Sequence, residues 1–174
     1  MFIAHLPAGY ITAKLLFPRL KTPFVSYQAF LFCSVVGAIF PDIDMFYFYL
    51  IDHRQHHHHS YFTHFPSTWL LLLVASSAWF YFTSQRKNAA LAVIFSLGGF
   101  IHIFLDTIVG DIWWFAPFID KPFAFATVPA IYKPWWLNFL LHWSFGLEII
   151  LVCWAVYLWI KSWKQFCQQN LNSE

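Results

Sequence analysis

The chemistry this chain could perform is concentrated in its histidines and aspartates, whose spacing suits the capture of a divalent metal ion. The most compact group is His102-Ile103-Phe104-Leu105-Asp106. On a helix, residues four apart lie about 40° apart around the axis and about 6 Å along it, so imidazole and carboxylate share a face. A structural His–Asp hydrogen bond is the alternative, but ionisable groups inside an apolar helix are costly and usually functional. Asp42 and Asp44 follow Pro41 just beyond a helix end. In an extended segment their side chains point the same way, and two facing acids need a cation or basic group between them.

The tract His53 to His64 is half histidine, and imidazole suits zinc and other first-row metals. Consecutive imidazoles cannot all converge on one ion, so some of His56 to His59 are expected to be exposed. The first-choice ligands are Asp42, His64, His102 and Asp106, with His5 and Asp44 completing or bridging a second ion and His58 and His59 as alternates. One or two divalent ions are expected, zinc first, with manganese or magnesium as substitutes. Such an ion lowers the pKa of its water from near 16 towards about 7, which makes hydrolysis the expected chemistry. Arg54 is the expected oxyanion partner, because a guanidinium fork matches phosphate. Asp111, beside Gly110, is a candidate base or outer ligand, and Ser60, Tyr61 and Thr63 are candidate hydrogen-bonders to the ligands.

These groups come from distant parts of a chain of 174 residues that is 60% hydrophobic, 23% aromatic and only 10% charged. A soluble domain carries about 25% charged residues, so the polar groups here are too few to cover a water-exposed surface. Long apolar stretches run from Phe24 to Phe40, Pro66 to Thr83, Ala89 to Val109 and Leu137 to Ile160. Each approaches or exceeds the ~20 residues that cross about 30 Å of hydrocarbon. A further stretch, Phe2 to Phe17, is interrupted by His5, Pro7 and Lys14, and either spans or lies in the interface. The expectation is an all-α, polytopic bundle of four to five transmembrane helices forming one integral-membrane domain over residues 1–174.

With the N-terminus outside, Lys14, Arg19, Lys21, Arg86, Lys87, Lys161 and Lys164 are cytoplasmic, leaving only Arg54, Lys121 and Lys133 outside. The positive-inside rule favours that arrangement. All nine histidines then share the outer side, where the loops 41–65 and 110–136 carry the site. Trp113, Trp114, Trp135, Trp136 and Trp143 crowd the same boundary as an interfacial belt. The lack of a basic n-region leads us to expect no cleaved signal peptide. Cys33, Cys153 and Cys167 have no metal spacing and are expected to be buried free thiols. A net charge of +2, with basic residues scattered singly or in pairs, argues against a nucleic-acid partner.

Asp42-Ile43-Asp44, His53-Arg54, Thr63-His64 and His102-x-x-x-Asp106 occur in an order that resembles the membrane-bound metal-dependent hydrolase family, also described as LexA-binding, inner membrane-associated hydrolases. The likeness covers the chain to about residue 125. It implies a multi-pass bacterial inner-membrane protein with a site facing the periplasm, a divalent metal and hydrolytic activity. The family's pattern places Thr-His-Ser soon after His-Arg, whereas here His56 to Phe62 intervene and Phe65 follows His64. A fainter likeness, to zinc-dependent phospholipase C and related nucleases, maps onto His5, Asp42, His64, His102 and Asp106. Their later His-x-x-x-Glu is not reproduced, since Glu148 lies six residues from His142. The expected partners are the bilayer and a lipid or phosphoester substrate. The rival expectation is a non-catalytic divalent-metal-binding membrane protein, a sensor or permease component.

Overall fold

The computed structural model describes residues 1, 3–20 and 25–171. The expected segment starts at Phe2 and Phe24, together with Lys21, lie outside the described residues. The protein is all-helical, and the described residues contain no strand beyond an isolated antiparallel bridge between Ile112 and Phe123. Its helices are α1 (His5–Leu20), α2 (Tyr27–Ile39), α3 (Asp44–Leu50), α4 (Pro66–Phe82), α5 (Arg86–Asp106), α6 (Trp136–Leu141) and α7 (Trp143–Leu171). Short 3-10 turns occupy Phe40–Ile43, His58–Ser60 and Phe62–His64.

Among the described residues, Tyr27–Leu50, Arg86–Asp106 and Trp143–Gln169 are long and apolar enough to cross a bilayer, and Pro66–Phe82 is shorter. Helix α5 is the hub, packed by α1, α2 and α4, and it is far more buried than α7. Its small residues permit this. A Cβ at Gly98 would stand 2.6 Å from the Ser34 carbonyl oxygen, and one at Gly37 would stand 2.1 Å from that of Phe95. The α2 and α5 backbones therefore approach closely with no room for a side chain between them. By contrast, α7 presents Trp154, Tyr157, Trp159 and Trp163 outward, an apolar surface suited to lipid.

Three sequence expectations change here. Asp42 and Asp44 lie in helical, not extended, backbone, because Pro41 starts a 3-10 turn that runs directly into α3. The stretch Leu137 to Ile160 is not one helix: it breaks at His142, whose backbone is extended (φ −81°, ψ 145°). Of the cysteines, all free, Cys33 is half-buried while Cys153 and Cys167 are exposed on α7.

Candidate metal centre

The site is assembled where the C-terminal end of α5 meets the turn after α2 and the loop before α4. His102 and Asp106, one turn apart on α5, are both buried. Their facing atoms, Nε2 and Oδ2, are 2.9 Å apart. The other ring nitrogen, His102 Nδ1, donates to the Ala38 carbonyl of α2 at 2.8 Å. That bond selects the tautomer and leaves the Nε2 lone pair aimed into the site.

His64 arrives from the loop and is oriented in the same way by a different acceptor. Its Nδ1 meets Asp44 Oδ2 at 2.5 Å, and the Thr63 hydroxyl donates to that same oxygen at 2.5 Å. Trp69 Nε1 holds the loop by donating to the Thr63 carbonyl at 2.7 Å. His64 Nε2 then lies 3.6 Å from Asp42 Oδ1 and 3.9 Å from Asp106 Oδ2. His102 Nε2 is also 3.6 Å from Asp42 Oδ1.

One ligand atom from each of Asp42, His64, His102 and Asp106 therefore lies within 4.8 Å of the other three. The Nε2 atoms of both histidines are buried with no hydrogen-bond partner. Unpaired buried nitrogens are costly, and these two face the same pair of carboxylates, so that the four groups could hold a metal ion between them. The donor set of imidazole and carboxylate suits zinc. Burial opposes a charge on His64, but Asp42 and Asp44 outweigh it and hold its pKa up to about 9. A proton thus sits where a divalent ion would compete.

The remaining candidates flank this cluster. His5 stacks on His102 with ring centroids 3.8 Å apart, and its Nε2 is 3.2 Å from Asp106 Oδ1. The α-amino group of Met1 meets the same oxygen. His59 is buried, its Nε2 3.7 Å from Asp106 Oδ2 and its Nδ1 3.2 Å from the Asp111 carbonyl. His58 packs on His59 with centroids 3.9 Å apart. Burial lowers the pKa of His58 to about 4 and that of His59 well below the usual imidazole range, so both rings are neutral at pH 7. Asp44 stands behind His64 as its hydrogen-bond acceptor, outside the four-residue cluster.

A cavity of about 680 Å³ opens over the cluster, and its lining includes Asp42, His58, His59, Asp106 and Asp111 together with the apolar Met45, Val109, Val128 and Phe139. Arg54 is not among its described lining residues; its guanidinium lies over the Tyr49 ring, 4.6 Å from the centroid. His53 and His56 are exposed, and His56 Nδ1 binds Asp52 at 2.6 Å. His142 stands apart at the α6–α7 break, bonded to Ser144. Glu148 is buried, and its Oε2 accepts the backbone N–H of Ile3 at 2.5 Å and of Ala4 at 3.1 Å. It therefore ties α7 to the segment that carries His5.

Sequence reasoning missed the Ala38 carbonyl, since any residue type supplies one, and the apolar residues of the cavity lining, which are scattered through the chain. The family model described as YdjM inner membrane protein matches residues 1–166. No curated protein and no solved structure matches the chain significantly.

Proposed function

The chain belongs to the YdjM inner membrane protein family, and from that premise we propose that it is a metal-dependent hydrolase acting on an amphiphilic ester or phosphoester at the periplasmic surface of the membrane. The observation that carries this reading is the convergence of two orphaned, buried Nε2 atoms and two carboxylates beneath a cavity lined by both polar and apolar side chains. A bound divalent ion supplies Lewis acidity and water of lowered pKa at that point. Asp42, His64, His102 and Asp106 would hold the ion, while Asp44 and the Ala38 carbonyl orient the two imidazoles.

The apolar lining residues would hold an acyl or alkyl tail while the ester reaches the polar ones. Water would add to the acyl carbon or phosphorus, with Asp111 in the cavity lining taking its proton; the ester C–O or P–O bond then breaks and Asp111 returns that proton to the leaving alkoxide, which departs as an alcohol. With Arg54 stacked on Tyr49, stabilisation of the developing negative charge falls to the ion.

Four to five spans, with α4 and α1 joining the three longer segments, bring the chain to this topology. Helix α4, at 17 residues, is at the lower limit for a crossing. The distribution of basic residues orients the site outward. Permease function predicts ionisable side chains through the full membrane depth; instead Glu148, the single acid of α7, reaches the N-terminal backbone beside the cluster.

The test is hydrolysis of a panel of phospholipid, acyl-ester and phosphodiester substrates by protein purified without a polyhistidine tag. Activity should disappear with a chelator, return with zinc and be lost in Asp42→Asn. A metal-loaded protein inert towards the whole panel would favour a sensor.

A further inference from the structure

We propose that His58, His59 and Asp106 form a second, open metal seat on the cavity side of the first, with the Asp106 carboxylate shared between two ions. This rests on the hydrolase reading and supplies what that reading lacks. Asp42, His64, His102 and Asp106 are four protein ligands, the number that closes a tetrahedral site, whereas hydrolytic sites keep a position for water by using three. His64 and His102 are fully buried and line no part of the cavity; His58, His59 and Asp106 all line it.

The second seat has its own construction. His58, His59 and His64 each offer an atom within 4.8 Å of the others. His64 has only one nitrogen to give, because Asp44 holds its Nδ1, so it can serve the inner ion or the outer one but not both. The third outer ligand is then Asp106, whose Oδ2 faces His59 Nε2 at 3.7 Å as well as His102 Nε2 at 2.9 Å. His59 is set for this role, since its Nδ1 is directed at the Asp111 carbonyl, leaving Nε2 for the ion. The chain also makes room for the ring: a Cβ at Gly110 would stand 2.6 Å from His59 Cε1.

Charge agrees with two ions. Asp42, Asp106 and Asp111 line the cavity and Asp44 stands behind His64, against the Met1 α-amino group and no Lys or Arg among the described lining residues. Four carboxylates and one ammonium leave more negative charge than one divalent ion neutralises, and a shared carboxylate suits the spacing of about 3.5–4 Å found in two-metal hydrolytic centres.

Zinc content per chain tests the proposal, measured on untagged, detergent-purified full-length protein loaded with zinc and desalted. Wild type should retain two ions, His56→Ala two, and the His58→Gln/His59→Gln double variant one. Cobalt-loaded wild type should show spin coupling by electron paramagnetic resonance, lost in the double variant, which provides a readout in wild type even if the variant folds poorly. One ion in both wild type and the double variant would overturn the second seat while leaving the inner one, and the hydrolase reading, standing. Two ions in the double variant would overturn it as well, by putting the second ion elsewhere. No retained ion in wild type would remove both seats.

Discussion

The protein uses histidine in two different ways within one short loop and its surroundings. His64 and His102 are fully buried, and each has its Nδ1 fastened to an acceptor, Asp44 in one case and the Ala38 carbonyl in the other. His53 and His56 are exposed, and the ring of His56 reaches only the carboxylate four residues before it. The residue type is the same, and His56 too has its Nδ1 on an acceptor; what differs is burial and what the other nitrogen faces. A buried, fixed ring presents its Nε2 to Asp42 and Asp106, whereas an exposed ring has no carboxylate pair before it and loses rotamer freedom when it binds. Richness in histidine therefore marks the neighbourhood of the site, and burial with an acceptor behind the ring and carboxylates before it identifies its ligands.

The strongest way to break this contrast is to exchange the two classes. His102→Ala should lower zinc affinity by more than about 100-fold, beyond the loss that comes from disturbing only the outer partner of a ligand. His56→Ala should leave affinity unchanged. Titration of both variants against a fluorescent zinc chelator measures the difference, and equal losses would mean the tract binds metal without regard to wiring. A smaller effect isolates the acceptor itself. Asp44→Ala keeps every proposed ligand of the inner ion but frees His64 Nδ1 and the Thr63 hydroxyl. Affinity should fall by about 10–100-fold.

The scaffold behind His102 offers a third test, because its acceptor belongs to the neighbouring helix. A Cβ at Gly98 would lie 2.6 Å from Ser34 O and 2.8 Å from Ala38 N, so Gly98→Ala must separate α5 from α2 beside the Ala38 carbonyl. Overpacking of this kind costs about 1–3 kcal/mol. Detergent-titrated unfolding should show that loss, and zinc affinity should fall with it, though less than in Asp44→Ala. A stability loss with unchanged affinity would uncouple the helix interface from the ligand.

How much of this was legible beforehand depended on whether the signal was periodic. Helices α4 and α5 begin and end within about three residues of their apolar runs, because continuous hydrophobicity is what a bilayer-length helix requires. The pairing of His102 with Asp106 followed from helical spacing alone. Asp42 and Asp44 were read in the wrong backbone, since Pro41 suits an exit from a helix as well as the start of a 3-10 turn. Two aspartates in helical backbone diverge, which puts Asp42 against Nε2 of His64 and Asp44 against its Nδ1. His58 and His59 were read only as alternates to His64, because which members of the tract turn inward follows from the loop backbone, which includes φ of 50° and 64° at His53 and Arg54. Residues of these types seldom adopt left-handed backbone, and no local pattern announces it.

That loop also sets the smallest and most local test of the contrast. Asp52 accepts both the ring and the backbone N–H of His56, at 2.6 and 2.9 Å. These hydrogen bonds lower its carboxyl to about 2. A depressed carboxylate favours the ordered loop above its unfolded pKa of about 4, and the preference disappears as pH falls through about 2. In His56→Ala the ring bond is gone, so the Asp52 midpoint followed by carboxyl carbon NMR should rise towards 4, while zinc content at pH 7 stays at the wild-type value. A midpoint that moves together with a loss of zinc would show that the exposed part of the tract holds the inner ligands in place. The separation between its two kinds of histidine would then be one of degree, with loop order rather than the acceptors behind His64 and His102 setting the affinity.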